Sequence, residues 1–245
     1  MNIEQMVKYY INALHSYAMQ AVVLAGGFGK RLAPLTSEVP KPLLPVGGRP
    51  ILVRQIEWLR GFGVADVVLA VGYLKHKIFE ALGDGRKLGV RIFYSVEEEP
   101  LGTGGAIKNA EPFITDDVFV VLNGDVLTNL SLDKLVEALG DADGAIALVP
   151  LRSPYGIVEY DKNGYITHFR EKPLLEGFYI NAGVYAFRRE VLKFLPERGN
   201  IEETAFPMLA ERGRLRGVAY RDVFWRSIDS VKDLEEVNKF LRENT

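Results

Sequence analysis

Residues 22–46 read VVLAGGFGKRLAPLTSEVPKPLLPV. The stretch opens on the apolar run Ala21-Val22-Val23-Leu24-Ala25, short and β-branched enough for a buried strand. The run breaks at Gly26-Gly27-Phe28-Gly29, where a backbone without Cβ atoms turns sharply and brings N–H groups against a ligand. Lys30 and Arg31 follow at once, so anion-binding amides and cationic side chains share one loop. Pro34, Pro40, Pro42 and Pro45 then forbid a regular helix or a central strand. The expectation is a long, stiff loop carrying Arg31 and Lys41, and loops of that kind are usually functional.

Two well-known glycine loops are excluded. The dinucleotide fingerprint fails because Leu32 stands where its third glycine belongs. The Walker A loop fails because no G-K-[ST] occurs in this stretch. A glycine turn after a strand is by itself equally compatible with a plain structural turn. The whole string is more specific: L-A-G-G-x-G-x-R-L-x-P-L-T-x-x-x-P-K-P-L-L-P-V resembles, without a break, the signature of the sugar-1-phosphate nucleotidylyltransferases (NDP-sugar pyrophosphorylases).

Composition narrows the rest. A chain of 245 residues with 48% hydrophobic and 25% charged residues suits a soluble globular protein with a full core. A net charge of −2 gives no electrostatic support for nucleic-acid or membrane partners. With no cysteine, disulfides, thiolate metal sites and a cysteine nucleophile are excluded, which fits the cytoplasm. Three histidines leave little room for a histidine metal cluster. No membrane-length apolar run and no signal peptide are visible.

Ile3, Met6, Val7, Tyr10, Ile11 and Leu14 fall at helical spacing, so residues 1–18 are expected to be a short helical extension ahead of one domain over 19–245. Downstream, the patterns predict a helix through Leu52, Ile56, Leu59 and Phe62, a strand Asp66–Gly72, a helix Lys75–Leu82 and a strand Arg91–Val96. They go on to predict a helix Ala106–Ala110 and a strand Val118–Leu122. Such alternation argues an α/β fold with a doubly wound, mostly parallel, Rossmann-like sheet and ligands at the strands' C-terminal ends. The loops after the first, third and fourth of these strands should face one crevice. Beyond about residue 150 a hairpin over 156–169, strands Tyr179–Phe187 and Leu215–Tyr220, and helices Glu202–Arg212 and Val231–Arg242 predict a mixed β extension.

Three constellations carry chemistry. Asn123-Gly124-Asp125 puts a carboxylate at the mouth of a buried strand, where it serves either as a turn residue or as an oxygen ligand for a hard cation. Leu101-Gly102-Thr103-Gly104-Gly105 offers amides and a hydroxyl at a helix N-terminus, or is simply a tight capped loop. Tyr155-Gly156, Glu171-Lys172-Pro173 and Asn181-Ala182-Gly183 are weak singly and family-like in this order.

The resemblance implies roles for these positions. Leu24, Ala25, Gly26, Gly27, Gly29, Lys30, Arg31, Lys41, Gly102, Thr103, Asn123 and Gly124 would bind the nucleotide. Gly156, Glu171, Lys172, Asn181 and Gly183 would line the sugar-phosphate side. Arg31, Lys41, Asp125, Lys172 and Asp229 would be catalytic, with Asp125 and Asp229 holding Mg²⁺. The string Glu97-Glu-Glu-Pro-Leu-Gly-Thr-Gly-Gly105 is similar to the guanylyltransferases of mannose and manno-heptose 1-phosphate, which implies GTP as the nucleotide. A glucose-1-phosphate thymidylyl- or uridylyltransferase, a non-catalytic nucleotide-sensing subunit and a homo-oligomeric state all stay open.

One position departs from the family pattern. Where many members carry W-x-D-x-G-T, this chain reads Trp225-Arg226-Ser227-Ile228-Asp229-Ser230. Cytidylyltransferase relatives show a similar W-x-x-x-D-[ST] arrangement. Positions two apart in an extended segment share a side, so Asp229 is expected to face whatever Ser227 faces. The alternative is that Asp229 only caps the following helix.

Overall fold

A computed structural model describes residues 19–243; the helix expected over residues 1–18 lies outside them. The first half contains β1 (Met19–Ala25), β2 (Pro45–Val46), β3 (Arg49–Pro50), α1 (Ile51–Gly61), β4 (Val64–Val71), α2 (Lys75–Leu82), β5 (Arg91–Val96), α3 (Gly102–Asn109) and β6 (Val118–Asn123). There follow β7 (Val126–Thr128), α4 (Leu132–Leu139), β8 (Gly144–Arg152), β9 (Ile157–Tyr160), β10 (Ile166–Arg170), β11 (Leu174–Arg188), α5 (Ala205–Glu211), β12 (Leu215–Ala219), β13 (Trp225–Ser227) and α6 (Val231–Glu243).

Seven strands form one sheet in the order β12-β8-β11-β6-β1-β4-β5. β6, β1, β4 and β5 run parallel, whereas β11 lies antiparallel between β6 and β8. The doubly wound, mostly parallel expectation is thus met in the first half. The second half adds its strands to the same sheet as the mixed extension. Alternation along each strand feeds two cores. Ala21, Val23 and Ala25 of β1 pack with Leu52, Ile56 and Leu59 of α1, and with Leu132, Leu135 and Leu139 of α4. Val22 faces the other way, toward Ile107 of α3 and Phe206 and Leu209 of α5.

Several boundaries differ from the sequence pattern. α3 starts inside the glycine loop, at Gly102, because the loop's amides turn onto segment 196–200. α5 starts only at Ala205, since residues 201–204 form turns that meet the α3 loop. β11 runs from Leu174 rather than Tyr179, through two irregularities in its pairing with β8. The proline-rich stretch holds two 3-10 turns, Lys30–Leu32 and Lys41–Leu43, the second with Pro42 at its start. β7, α4 and β8 were not foreseen, although Leu132, Leu135 and Leu139 keep helical spacing and Ser131 caps α4.

β1 and β6 are adjacent, yet their connections leave in opposite directions along the sheet, which makes this the topological switch point where open α/β sheets bind ligands. A single buried side chain shapes the far side of that point. Gln55, only 1% exposed, donates from Nε2 to the carbonyls of Asn123 at 2.9 Å and Val126 at 2.7 Å. It thereby holds the turn that carries Asp125. Gln55→Leu keeps the volume and strands both carbonyls, and is expected to cost about 2 kcal/mol of stability, read from urea unfolding.

Candidate active site

A cavity of about 420 Å³ opens over the C-terminal ends of β1, β5 and β6. Its wall includes Leu24, Ala25, Gly26, Gly27, Gly29, Lys30, Arg31 and Lys41 from the signature stretch. Gly102 and Thr103 come from the α3 loop, Asn123, Gly124 and Asp125 from the turn after β6, and Asp229 from near the C-terminus. The three loops expected to share a crevice therefore do so.

The signature stretch is folded by its own composition. Gly29 sits at φ 61, and a Cβ there would lie 2.9 Å from the Thr36 methyl and 3.0 Å from Lys41 Cβ. Thr36 Oγ1 donates to the Gly29 carbonyl at 2.9 Å, which closes the loop on itself. Leu32, Leu44, Val46 and Ile51 anchor the stretch in a small apolar cluster with Ile228, Leu234 and Val237. The loop is thus fastened to the segment that carries Asp229.

At the centre lies Lys41, its side chain only 12% exposed. The ammonium donates to Asp125 Oδ2 at 2.8 Å and to Asp229 Oδ1 at 3.0 Å. Arg31, largely exposed, donates to the same Asp229 oxygen at 2.8 Å. Backbone pairing sets the two carboxylates together. β13 pairs with β7 so that Ser227 stands opposite Val126, and the Ile228 N–H donates to the Asp125 carbonyl at 2.8 Å. Ser227 Oγ donates to Asp229 Oδ2 at 2.9 Å, so the two positions do share a side. The helix-capping role belongs to its neighbour: Ser230 and Asp233 bond each other reciprocally, with Ser230 N–H to Asp233 Oδ2 at 2.7 Å and Asp233 N–H to Ser230 Oγ at 3.3 Å. The Asp229 carboxylate is left for the cavity.

Burial pushes the Asp229 carboxyl upward, but hydrogen bonds from Lys41 and Ser227 and the charges of Lys41 and Arg31 outweigh it and hold the group below its ordinary range. Two carboxylates sharing one cation are also the donor set a hard divalent ion takes. Among the described residues no group of three or more acidic, His or Cys side chains could hold a metal alone. Phosphate oxygens or water would have to complete the coordination of Mg²⁺ at Asp125 and Asp229.

The sugar-side residues fall in two groups. Gly156 lies against Phe169 and Glu171, and Lys172 Nζ is 3.8 Å from Glu171 Oε1, all at the base of the β9–β10 ribbon and outside the cavity wall. Lys172 has φ 45, a left-handed conformation rarely adopted by side-chain-bearing residues, and Arg152 Nη1 holds its carbonyl at 3.0 Å. Asn181 and Gly183 instead adjoin the cavity through Asn123. Gly183 has φ 69, and a Cβ there would meet Asn123 Nδ2 at 2.7 Å. Nothing in the described residues brings Lys172 into contact with Lys41 or the carboxylates.

Three amides of the α3 loop are already engaged within the protein: Gly104 and Gly105 donate to the Gly199 carbonyl at 2.9 and 3.1 Å, and Thr103 N–H to Asn200 Oδ1 at 3.4 Å. The loop contributes to the cavity as surface, through Gly102 and Thr103. Sequence reasoning also passed over Glu97, which stands first after β5 and lines the cavity. Its position at a strand's C-terminal end was the available signal. Burial raises the Glu97 carboxyl, against a hydrogen bond from the Leu101 N–H to Oε2 at 3.1 Å.

A model of the family described as nucleotidyl transferase matches residues 20–244. The mannose-1-phosphate guanyltransferase of Aspergillus fumigatus is 39% identical over 227 residues, spanning 88% of this chain and 62% of that protein. The mannose-1-phosphate guanylyltransferase of Mycobacterium tuberculosis is 37% identical over 229 residues, spanning 89% of this chain and 63% of that protein. The chain thus spans less than two thirds of the length of these curated relatives. Among solved structures, HddC from Yersinia pseudotuberculosis is similar with a TM-score of 0.74 and 28% identity, over 91% of this chain and 99% of that one. Its complex with GMP-PN is similar with a TM-score of 0.72 and 27% identity, over the same shares of the two chains, 91% and 99%.

The electrostatic clamp has a pH signature. A folded-state pKa below the unfolded value of 3.8 means that Asp229 contributes stability above that value and loses it as pH falls through the folded one. A carbon-13 NMR titration of Asp229 is expected to give a midpoint below 3.8, and Lys41→Met is expected to move it upward.

Proposed function

The chain belongs to the nucleotidyl transferase family, and from that premise we propose that it moves a nucleotidyl group from a nucleoside triphosphate to a sugar 1-phosphate, releasing pyrophosphate. The observation that carries the reading is the meeting of Arg31, Lys41, Asp125 and Asp229 at the mouth of a cavity at the sheet's switch point.

The sugar-phosphate oxygen attacks the α-phosphorus in line, the bond to the β-phosphate oxygen breaks, and the electron pair leaves with pyrophosphate. A phosphate monoester has a second pKa near ~6, so the nucleophile is mostly dianionic at neutral pH and needs no base. The obstacle is repulsion between two polyanions, which positioning and cations relieve. Arg31 is largely exposed and held at one end by Asp229, so it suits the β- and γ-phosphates and the leaving group. Lys41 is nearly buried and fixed, so it suits neutralisation of charge beside the reacting phosphate. Lys172 orients the sugar phosphate from the ribbon side, held by its constrained backbone. Bound Mg²⁺ at Asp125 and Asp229 would supply further charge neutralisation on the phosphates.

GTP with mannose 1-phosphate or another manno-configured sugar phosphate is the pair we favour. Relatives named mannose-1-phosphate guanylyltransferase support it, as does a structural neighbour complexed with GMP-PN. Glu97 adds a physical argument. A part-buried carboxylate on the cavity wall accepts hydrogen bonds, and guanine presents adjacent N1–H and N2–H donors on one edge. A base without such donors leaves that carboxylate with the Leu101 N–H as its partner and no second one, which costs more than a missing apolar contact.

The test is a matrix of four NTPs against several sugar 1-phosphates with Mg²⁺, read as pyrophosphate release. GTP with mannose 1-phosphate or a manno-configured relative is expected to lead. A preference for dTTP or UTP with glucose 1-phosphate would replace the specificity while keeping the reaction, and no turnover with any pair would favour a nucleotide-sensing subunit.

The metal assignment has its own test. Asp229→Ala is expected to lower Mg²⁺-dependent turnover by on the order of a hundred- to a thousand-fold, while Ser227→Ala keeps most of it. The reverse order of severity would remove Asp229 from the metal site.

A further inference from the structure

Two side chains that do not line the cavity connect the residues that do. Thr103, on the first turn of α3, donates from Oγ1 to Glu202 Oε2 at 2.6 Å and accepts the Ile201 N–H at 3.0 Å. The other Glu202 oxygen accepts from the Tyr185 hydroxyl at 3.5 Å. Asn181 Nδ2 donates to that same hydroxyl at 2.9 Å, while Asn181 Oδ1 takes the Gly183 N–H at 2.8 Å. The Asn123 amide, on the cavity wall, packs on Gly183. A polar path therefore runs from the nucleotide loop to the sugar-phosphate side.

The path is stiff at its middle. The Tyr185 ring is 0% exposed, stacked on Phe187 at 5.6 Å and edge-on to Phe206 at 5.2 Å. Burial, then the Glu202 charge, push its hydroxyl pKa upward, so it stays a neutral donor throughout the physiological range. If Glu202 only stapled the turn before α5, Thr103 and Ile201 would suffice. The second carboxylate oxygen turned toward Tyr185, and the Asn181 amide on the same hydroxyl, have no part in that turn.

We propose that Glu202 and Tyr185 are positioning residues forming a strut that ties the nucleotide loop to Asn181 and Gly183, so that each substrate favours binding of the other. This rests on the nucleotidyl-transfer reading. Nucleotide against Thr103 immobilises Glu202, Glu202 orders the Tyr185 hydroxyl, and the hydroxyl fixes the Asn181 amide. Linkage requires the coupling to be reciprocal.

The test uses the full chain as wild type, Tyr185→Phe, Glu202→Gln and Glu202→Ala. Affinity for a non-hydrolysable GTP analogue is measured at equilibrium with Mg²⁺. KM for the leading sugar 1-phosphate is measured at low and saturating GTP. In wild type, the sugar-phosphate KM is expected to fall as GTP saturates. In Tyr185→Phe and Glu202→Ala that fall should vanish, leaving KM at saturating GTP about five- to tenfold higher, the size of one lost hydrogen bond, with kcat within about twofold. Tyr185→Phe should keep analogue affinity within about twofold, since the Thr103–Glu202 bond survives. Glu202→Gln retains one acceptor and should restore part of the coupling. Tyr185→Phe removes one atom from a packed ring and so covers the case in which Glu202→Ala fails to fold. Undiminished coupling in Tyr185→Phe, or a loss confined to kcat, would overturn the strut and leave the reaction standing. A wild type that binds the analogue but turns over no pair would overturn both.

Discussion

The ammonium of Lys41, held between the carboxylates of Asp125 and Asp229, is the constraint on which the rest of the site depends. Two acids facing one cavity repel each other and resist burial. One nearly buried cation between them makes the arrangement tolerable and keeps Asp229 ionised. The same geometry is what a phosphate-transfer site needs before substrate arrives, because the carboxylates are already converged on a point of positive charge. Lys41 occupies that point.

That ion cluster needs its three backbones fixed to one another, and apolar packing does this. The cluster of Leu32, Leu44, Val46, Ile51, Leu127, Ile228, Leu234 and Val237 joins the signature loop, the β7 strand and the start of α6. Gln55 holds the Asp125 turn from the buried face of α1, and the Ser230–Asp233 capping box fixes the first turn of α6 just after Asp229. The charged groups are few, and each is seated on a buried support. Segment 196–202 does the corresponding work on the other wall, since it consumes the amides of the α3 loop and so sets where Thr103 stands.

The two walls differ in how they meet solvent. The signature-loop side is a defined cavity, whereas Gly156, Glu171 and Lys172 sit at the base of a ribbon that carries exposed Tyr160, Ile166 and Phe169. Asn181, Gly183, Glu202 and the hydroxyl of Tyr185 link the two regions.

The sequence by itself determined the class of fold, the loops that would share a crevice and most of the residues on the cavity wall. Hydrophobic periodicity reports burial directly, and glycine and proline report turns that other residues resist; Gly29 at φ 61 is such a case. It also placed Asp229 on the side of Ser227, because that depends only on the two-residue repeat of an extended chain. What it left undetermined was long-range. The pairing of β7 with β13, which sets Asp229 beside Asp125, joins two three-residue strands too short to show a pattern. The use of the α3 amides by Gly199, the seat of Glu97 on the cavity wall and the path through Glu202 and Tyr185 likewise depend on contacts between distant segments. Local propensity is silent on such contacts, and only the packed chain decides them.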